Sequence, residues 1–456
     1  MRARVPVFIA AFMLAAAAVS WLRLSFTGTL FLEDIPLPEH ELLMVLLGLA
    51  LGGASWLFLE ATAEPVPKAV LARLAIAAIA IQIVAALALP LTSNDAMSNL
   101  AYGQLDRAGY NPFVVGPRVL GGDWAAHVTP RWLDTPTVYG PFVQLVDRAS
   151  AAADSVAGAL AIFKLEVLLA SLAMIGLAYG YCRTLPDGRA APAFLFVAWN
   201  PLIAWEVAAQ AHNDGIMLVG LAAFVWAASR GTRRGDWLAL LALALALYTK
   251  FAALPVVGLW LVLVARRSPV RAAAMAVVLV AIGAALYAPW WNAHAFDSAL
   301  DAMRGNPSRH TRSFLEMVWL AASPAGDDAQ LWVYRVGAAI CGALMLAVAG
   351  GAVVYVWRRA TTQAMFRAAA VVFLLSGLVC QPAFRAWYAT WLVPLAMAED
   401  DPRWRRVYAV YCALQAVQYG VDLDPYTYLA VNGIPLVMLW RLYKDWRATS
   451  RSSRAS

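Results

Sequence analysis

An acidic and polar segment directly follows the third long apolar run of the chain. The run ends ALALPL, and residues 93–113 continue SNDAMSNLAYGQLDRAGYNPF. Asp95, Asn99, Tyr102 and Asp106 are spaced four, three and four residues apart, so on a helix they share one face. A carboxylate held where a chain leaves a membrane could deprotonate a hydroxyl group as a general base. The simpler alternative is that Asp95 only places a negative charge at the positive end of a helix.

Local signals bound this segment as a helix. Ser93 or Asn94 is a suitable N-cap, and Gly109 with the following Asn-Pro pair is typical of a helix end. The face opposite the acid is apolar. Its residues are Met97, Leu100, Ala101 and Leu105. We expect the helix to lie at the membrane interface with this apolar side down.

A second polar cluster interrupts two apolar spans at residues 197–221, VAWNPLIAWEVAAQAHNDGIMLVGL. Polar groups at membrane depth are costly, and they usually face a cavity or a partner. The cluster could equally be a plain turn between helices, in which Asp214 does no more than cap the second one. The polar residues are Asn200, Glu206, Gln210, His212, Asn213 and Asp214.

Cations follow in three further places. Lys250 lies in the middle of an apolar stretch, where it either snorkels to the interface or meets an anion. Arg385 lies between two apolar spans beside Trp387, Tyr388 and Trp391, which an aromatic belt would explain. Planar guanidinium groups suit phosphate. The loop at residues 290–330 adds His294, Arg304, Arg309, His310 and Arg312. Together these groups could bind a lipid phosphate and deprotonate a hydroxyl beside it.

Composition decides which elements must position these side chains. Of 456 residues, 62% are hydrophobic and 14% are charged, and the mean hydropathy is +0.65, which predicts an all-α polytopic membrane protein with about 12–14 transmembrane helices. The net charge of +7 resides in short clusters between apolar runs, so it indicates topology and argues against nucleic acid as a partner. The cysteines form no CxxC pair, and we expect them to pack between helices. They are Cys182, Cys341, Cys380 and Cys412.

The basic clusters predict a cytoplasmic N-terminus and C-terminus, with the tail at 441–456 on the same side. The stretch at 236–265 has basic clusters at both ends, so we expect a hairpin of two short helices with Tyr248, Thr249 and Lys250 at its apex. Outward loops are then expected at 91–155, 290–330 and 381–390. The first apolar segment could instead be a signal peptide. No repeat or separate soluble domain is evident, so residues 1–456 are expected to form a single domain.

Four segments resemble the C-type integral membrane glycosyltransferases, in particular bacterial mannosyltransferases that use polyprenyl-phosphate-mannose. They are SNDAMSNLAYGQLDRAGYNPF, NPLIAWEVAAQAHND, LALYTKFAALPVV and QPAFRAWYATWLVPL, and they occur in the order expected for that family. Where relatives often have Gly-Arg, this chain has Gly103-Gln104. Three spans precede the acidic loop rather than one.

The resemblance implies transfer of a sugar, mannose by preference, from a polyprenyl phosphate to a hydroxyl of a glycolipid or glycan. The reaction would occur on the outer face of the bacterial cytoplasmic membrane, with inversion, as a step of cell-envelope glycan synthesis. Asp95 becomes the general base, while Lys250 and Arg385 face the phosphate. The remaining residues expected to contact substrate are Asn94, Asn99, Tyr102, Asn111, Glu206, His212, Asn213, Asp214 and Tyr388. No cofactor is expected, and a divalent metal is not favoured.

Two other classes stay open. A transporter or lipid flippase would also explain polar groups at membrane depth, although such folds often contain paired broken helices in repeated halves. An oligosaccharide-lipid polymerase or ligase would use the arginines of residues 304–312 for pyrophosphate in place of Asp95.

Overall fold

Helices form almost all of the described chain. The computed structural model describes residues 5–27, 38–64, 66–292, 297, 313–381, 384–420 and 426–455, and within these ranges it contains no β-strand. The all-α prediction is therefore confirmed for this part of the chain.

Eight of the described helices are long and apolar enough to cross a membrane, which makes this a multi-pass membrane protein. The first part of the chain forms α1 (Val5–Thr27), α2 (Pro38–Ala63), α3 (Leu71–Ala86), α4 (Asp95–Arg107), α5 (Gly122–Ala126), α6 (Pro141–Ser150), α7 (Val156–Cys182), α8 (Asp187–Ala198), α9 (Pro201–Ile203), α10 (Asp214–Ala228), α11 (Arg233–Thr249), α12 (Leu254–Arg267) and α13 (Pro269–Tyr287). Helices Phe314–Ala321, Asp327–Arg359, Thr362–Leu375, Val393–Ala396, Pro402–Val417 and Thr427–Ala455 follow. The apolar stretch at residues 387–398 is divided between a 3₁₀-helix, Ala386–Leu392, and the short helix Val393–Ala396, so it is not a regular span.

The basic loops meet at one end of the helix bundle, called here the basic end. Lys68 Nζ donates to the carbonyl of Leu185 at 2.9 Å, and Arg189 donates to the carbonyl of Ala398 at 3.3 Å. These contacts join loops that the positive-inside rule assigns to one side. Their grouping agrees with the predicted topology, while the face of the membrane on which they lie stays a prediction.

The loop at 91–155 covers the other end of the bundle. Gly103 allows α4 to approach α6, since a Cβ there would lie 2.1 Å from the carbonyl oxygen of Asp147. The Gly140 N–H donates to the carbonyl of Thr249 at 2.9 Å, which attaches this loop to the end of α11.

Helix α4 is enclosed by protein, so its apolar side packs on protein and does not rest on the membrane as predicted. Asn99 and Tyr102 of the polar face are buried, and so is Leu100 of the apolar face. The physical reason is the close contact with α6, which covers the helix from outside. Its end is as predicted, because Gly109 has φ +84° and the Tyr110 N–H donates to the carbonyl of Leu105 at 2.9 Å. Its start differs in detail: Asn94 occupies the N-cap position, but the Asp95 N–H donates to Ser93 Oγ at 3.1 Å.

The predicted hairpin is present as α11 and α12, with Lys250 extended between them. The two helices contain 17 and 14 residues, and α10 contains 15. At 1.5 Å per residue they are about 26, 21 and 22 Å long, less than the roughly 30 Å of a hydrocarbon core. Each of these three helices is therefore shorter than a hydrocarbon core is thick.

The turn before α10 is reached through a broken helix. A π-helical segment, Ala204–Ala209, follows α9, and Ala211 then adopts a left-handed conformation with φ +57°. Lys164 Nζ on α7 donates to the carbonyl of Ala209 at 2.6 Å, which satisfies the end of the segment. Gln210 Oε1 accepts from the N–H groups of Leu91 and Thr92 at 2.6 and 2.7 Å. These bonds fix residues 210–214, called here the HND turn, against the start of the 91–155 loop.

Candidate active site

A cavity of about 140 Å³ lies where the N-terminus of α4, the hairpin apex and the segment after residue 384 meet. Asp95, Lys250 and Arg385 supply its charged groups. The other lining residues are Thr92, Ser93, Asn94, Ser98, Tyr102, Thr129, Trp132, Val138, Tyr139, Trp387 and Tyr388. The structure thus brings together side chains that the sequence places in three distant segments.

Asp95 is the carboxylate that faces this cavity. Its side chain is 25% exposed and lies at the first turn of α4, where the helix dipole favours an anion. Its backbone carbonyl accepts from Asn99 Nδ2 at 2.8 Å. The oxygen of the Asn99 side-chain amide, Oδ1, accepts a hydrogen bond from Asn213 Nδ2 at 3.0 Å. Asn99 and Asn213 therefore join α4 to the HND turn behind the cavity and do not line it.

His212 lies directly behind Asp95. Its Nδ1 is 3.6 Å from Asp95 Oδ2, and its Nε2 is 3.4 Å from Glu206 Oε2. The imidazole stacks on Trp387 with ring centroids 4.1 Å apart. Trp387 is only 6% exposed, so its position is set by this stacking, and the aromatic-belt interpretation is wrong for it. The cluster predicted at residues 200–214 forms a layer behind the cavity wall.

Lys250 forms a buried ion pair with Asp214. Lys250 Nζ lies 2.8 and 3.0 Å from the two carboxylate oxygens of Asp214, and Trp391 Nε1 donates to the same carboxylate. The ammonium also lies 5.5 to 5.6 Å from the ring centres of Tyr139, Tyr388 and Trp391. Snorkelling is therefore excluded as its role, and Asp214 does more than cap α10.

Arg385 lines the cavity without an ion-pair partner among the described residues. Its guanidinium carbon is 5.9 Å from the Trp387 ring centre, which holds the group beside the cavity wall. Because the charge of Lys250 is balanced by Asp214, Arg385 is the better placed of the two predicted cations to receive an anion.

Of the remaining predicted residues, some line the cavity and others hold the surrounding loop in place. Tyr102 lines the cavity and donates from its hydroxyl to the carbonyl of Thr135 at 3.0 Å. Burial raises the pKa of Tyr102 well above its usual range, so it acts as a neutral donor. Asn111 donates to the carbonyl of Trp290 at 2.9 Å and is not among the lining residues. Asp106 accepts from Trp290 Nε1 at 3.0 Å, so both residues hold the loop and not the substrate.

Several cavity residues carried no signal in the sequence. Thr129, Trp132 and Tyr139 come from a stretch without periodicity or a charged cluster. Tyr139 lies beside the hairpin apex, where its ring faces Lys250. The Trp391 bond to Asp214 was equally unforeseen, since that residue fits an aromatic belt. The predicted cations and histidines His294, Arg304, Arg309, His310 and Arg312 lie outside the described residues.

The acidic residues of this region each face a basic side chain. Asp214 pairs with Lys250, while Asp95 and Glu206 each face His212. Within the ranges that the structure describes, no group of three or more potential ligands is arranged to hold a metal ion. Metal independence remains a prediction.

Comparison with known proteins supplies the family. The profile of the alpha-(1->6)-mannopyranosyltransferases, N-terminal domain, matches residues 2–266. The chain belongs to this mannosyltransferase family. The matched part contains Asp95, the HND turn and Lys250, whereas Arg385 lies beyond it. The resemblance to C-type mannosyltransferases predicted from the sequence is confirmed.

One relative is an alpha-(1->6)-mannopyranosyltransferase of Mycobacterium tuberculosis. It is 28% identical over 134 residues, which are 28% of this chain and 22% of that protein. The match thus spans about a fifth of the length of the relative. No solved structure matches the chain.

Proposed function

We propose that this protein transfers mannose from a polyprenyl-phosphate donor to a hydroxyl of a mannose-containing glycolipid or glycan, forming an α-(1→6) bond. The observation that carries the proposal is Asp95, a carboxylate at a helix N-terminus that faces a cavity containing the cation Arg385. Family membership supports the sugar and the linkage. The polyprenyl donor is supported by the position of the cavity among helices that are shorter than a bilayer is thick.

Asp95 would act as the general base. It takes the proton of the acceptor hydroxyl as that oxygen attacks the anomeric carbon from the side opposite the phosphate. The bond between the anomeric carbon and the phosphate oxygen breaks, and its electrons leave with the phosphate. One base without a covalent intermediate gives inversion, so an α product requires a β-linked donor.

Arg385 would bind the donor phosphate. A guanidinium can make two parallel hydrogen bonds to phosphate oxygens, and it stabilises the charge that develops on the leaving group. Lys250 contributes its field from behind, although Asp214 already balances it. Tyr388 supplies a hydroxyl donor for the sugar, and Tyr102, whose hydroxyl already donates to the carbonyl of Thr135, supplies ring surface.

The orientation of the protein follows from its basic end. Short arginine-rich loops are retained in the cytoplasm, so the cavity at the opposite end would open to the outer face of the cytoplasmic membrane. A lipid-linked donor would reach it from within the bilayer, and the acceptor from the outside.

Transfer by the purified protein in nanodiscs tests this proposal. Radiolabelled α- and β-linked polyprenyl-phosphate-mannose are offered with an α-mannoside acceptor to wild type, Asp95→Asn and, as a control, Asp123→Asn, an exposed acid of the same loop. We expect transfer from the β donor alone and a loss of about 10²–10⁴-fold in Asp95→Asn, with Asp123→Asn unchanged. Near-normal turnover by Asp95→Asn, with the protein folded, would refute the assignment of the base.

A further inference from the structure

Glu206 is a completely buried carboxyl side chain that faces His212. Its side chain has 0% exposure, and neither oxygen has a hydrogen-bond partner within the described part of the chain. His212 Nε2 lies 3.4 Å from Oε2. A buried carboxylate is costly unless it is protonated or faces a cation. The group facing this carboxylate that can carry a positive charge is the imidazole of His212.

The same imidazole faces Asp95 with its other nitrogen. Glu206, His212 and Asp95 therefore form a row that runs from the protein interior to the cavity, with contacts of 3.4 and 3.6 Å. The ring cannot turn freely, because it stacks on Trp387. The Asn213–Asn99 hydrogen bond fixes the turn to α4, so the distance to Asp95 is held from both sides.

The local backbone is adapted to this row. Glu206 lies in a π-helical segment, and Ala211 adopts a left-handed conformation that costs about 1–2 kcal/mol for a residue with a Cβ. Lys164 Nζ donates to the carbonyl of Ala209 at the end of this segment. Such deviations persist where the surrounding structure requires them, and they are common at functional sites.

We propose that Glu206 and His212 form a positioning pair that keeps the Asp95 carboxylate charged and oriented while the anionic donor occupies the cavity. This inference rests on the proposed function. A donor phosphate brings a negative charge into the cavity where the base must itself stay an anion, and a like charge nearby favours protonation of a carboxylate. Protonated Asp95 could not accept the proton of the acceptor.

No other cation of the cavity can take this role. Lys250 is paired with Asp214, and Arg385 is engaged by the phosphate itself. In this proposal the His212 imidazole is the cation behind Asp95, on the side away from the donor, with Glu206 at its other nitrogen. The proton of the acceptor goes to Asp95.

The test compares Glu206→Gln, Glu206→Asp, His212→Asn and the double variant Glu206→Gln/His212→Asn with wild type. Two quantities are measured at one pH: the kcat of mannose transfer, and the Kd of a non-reactive phosphonate analogue of the donor. In Glu206→Gln we expect kcat to fall about 10- to 100-fold, in line with the worth of an opposite charge 3–4 Å away, while the Kd changes less than about twofold. Glu206→Asp, which keeps the charge, should recover part of kcat.

The double variant should be no slower than the slower single variant, because both act through Asp95. Three results would each overturn the inference. They are a kcat of Glu206→Gln within twofold of wild type, losses of kcat that multiply in the double variant, and a donor Kd that weakens in parallel with kcat. If Glu206→Gln does not fold, the kcat and Kd of His212→Asn decide in the same way. A failure of the proposed function looks different, since wild type itself would then show no transfer or Asp95→Asn would be active.

Discussion

Replacing Lys250 with methionine would leave Asp214 as a buried charge without its ammonium. The Asp214 side chain is 1% exposed and contacts Lys250 Nζ with both oxygens, at 2.8 and 3.0 Å. Removal of one partner from a buried ion pair costs about 3–5 kcal/mol. Two features reduce the loss here: Trp391 Nε1 still donates to the carboxylate, and the N-terminal dipole of α10 contributes about 0.3–1 kcal/mol.

We therefore expect Lys250→Met to lower the free energy of unfolding by about 3 kcal/mol. Asp214→Asn should cost less, because Lys250 is 15% exposed and lies against three aromatic rings. The double variant Lys250→Met/Asp214→Asn should regain about 2 kcal/mol relative to the sum of the single losses. The assay is thermal unfolding in one detergent, where a loss of this size lowers Tm by on the order of 5 °C.

Arg266→Met, at the exposed basic end of α12, is the matched control and should leave Tm within about 1 °C, as for a surface charge. Additive losses in the double variant, or a Tm for Lys250→Met equal to that of wild type, would show that the pair does not carry the energy assigned to it. In that case the role of Lys250 would be limited to the donor.

Three further predictions concern other contacts. Arg385→Ala should weaken the Kd of a donor phosphonate analogue by about 10-fold or more, since it removes a charge-assisted bond worth about 1.5–3 kcal/mol, whereas an unchanged Kd would place the phosphate elsewhere. Gly103→Ala should lower Tm strongly, because its Cβ would lie 2.1 Å from the carbonyl oxygen of Asp147. The control Gly176→Ala should leave Tm unchanged, because its Cβ would have no atom within 4 Å. Equal Tm values for the two variants would contradict the close packing of α4 on α6. Burial, and to a smaller extent the charge of Glu166, raises the pKa of Asp147 well above its usual 3.8. The fold is therefore more stable at low pH, where Asp147 is protonated, and this stability is lost as the pH rises. The gain in Tm from Asp147→Asn should therefore grow between pH 5 and pH 8, and a gain independent of pH would refute the shift.

Local signals were sufficient for some elements. The basic clusters on both sides of residues 236–265 predicted the hairpin, and Gly109 predicted the end of α4, because each depends on neighbouring residues alone. The position of α4 could not be predicted in the same way. Its apolar face suggested a membrane surface, but the contact that Gly103 makes possible depends on α6, some forty residues further along the chain.

The candidate site shows the same division. The residue types at Asp95, His212 and Lys250 could be selected from the sequence because polar groups at membrane depth are rare. The residues that pair with them could not be selected from the sequence. The Lys250–Asp214 and His212–Asp95 contacts join segments separated by 36 and more than 100 residues, and no periodicity specifies such pairings.

The short helices that hold the HND turn and Lys250 have a consequence for the surrounding lipid. Asp327–Arg359 has 33 residues and is about 50 Å long, so one protein presents two different hydrophobic lengths to its bilayer. Lipids of longer chain length would match the long helix but increase the mismatch with the shorter α11 and α12, at a cost of a fraction of a kcal/mol per Å of mismatch. On the proposed function we therefore expect the rate at which a donor headgroup enters the cavity to depend on membrane thickness, so that the acyl-chain length of the bilayer becomes a determinant of turnover alongside the substrates.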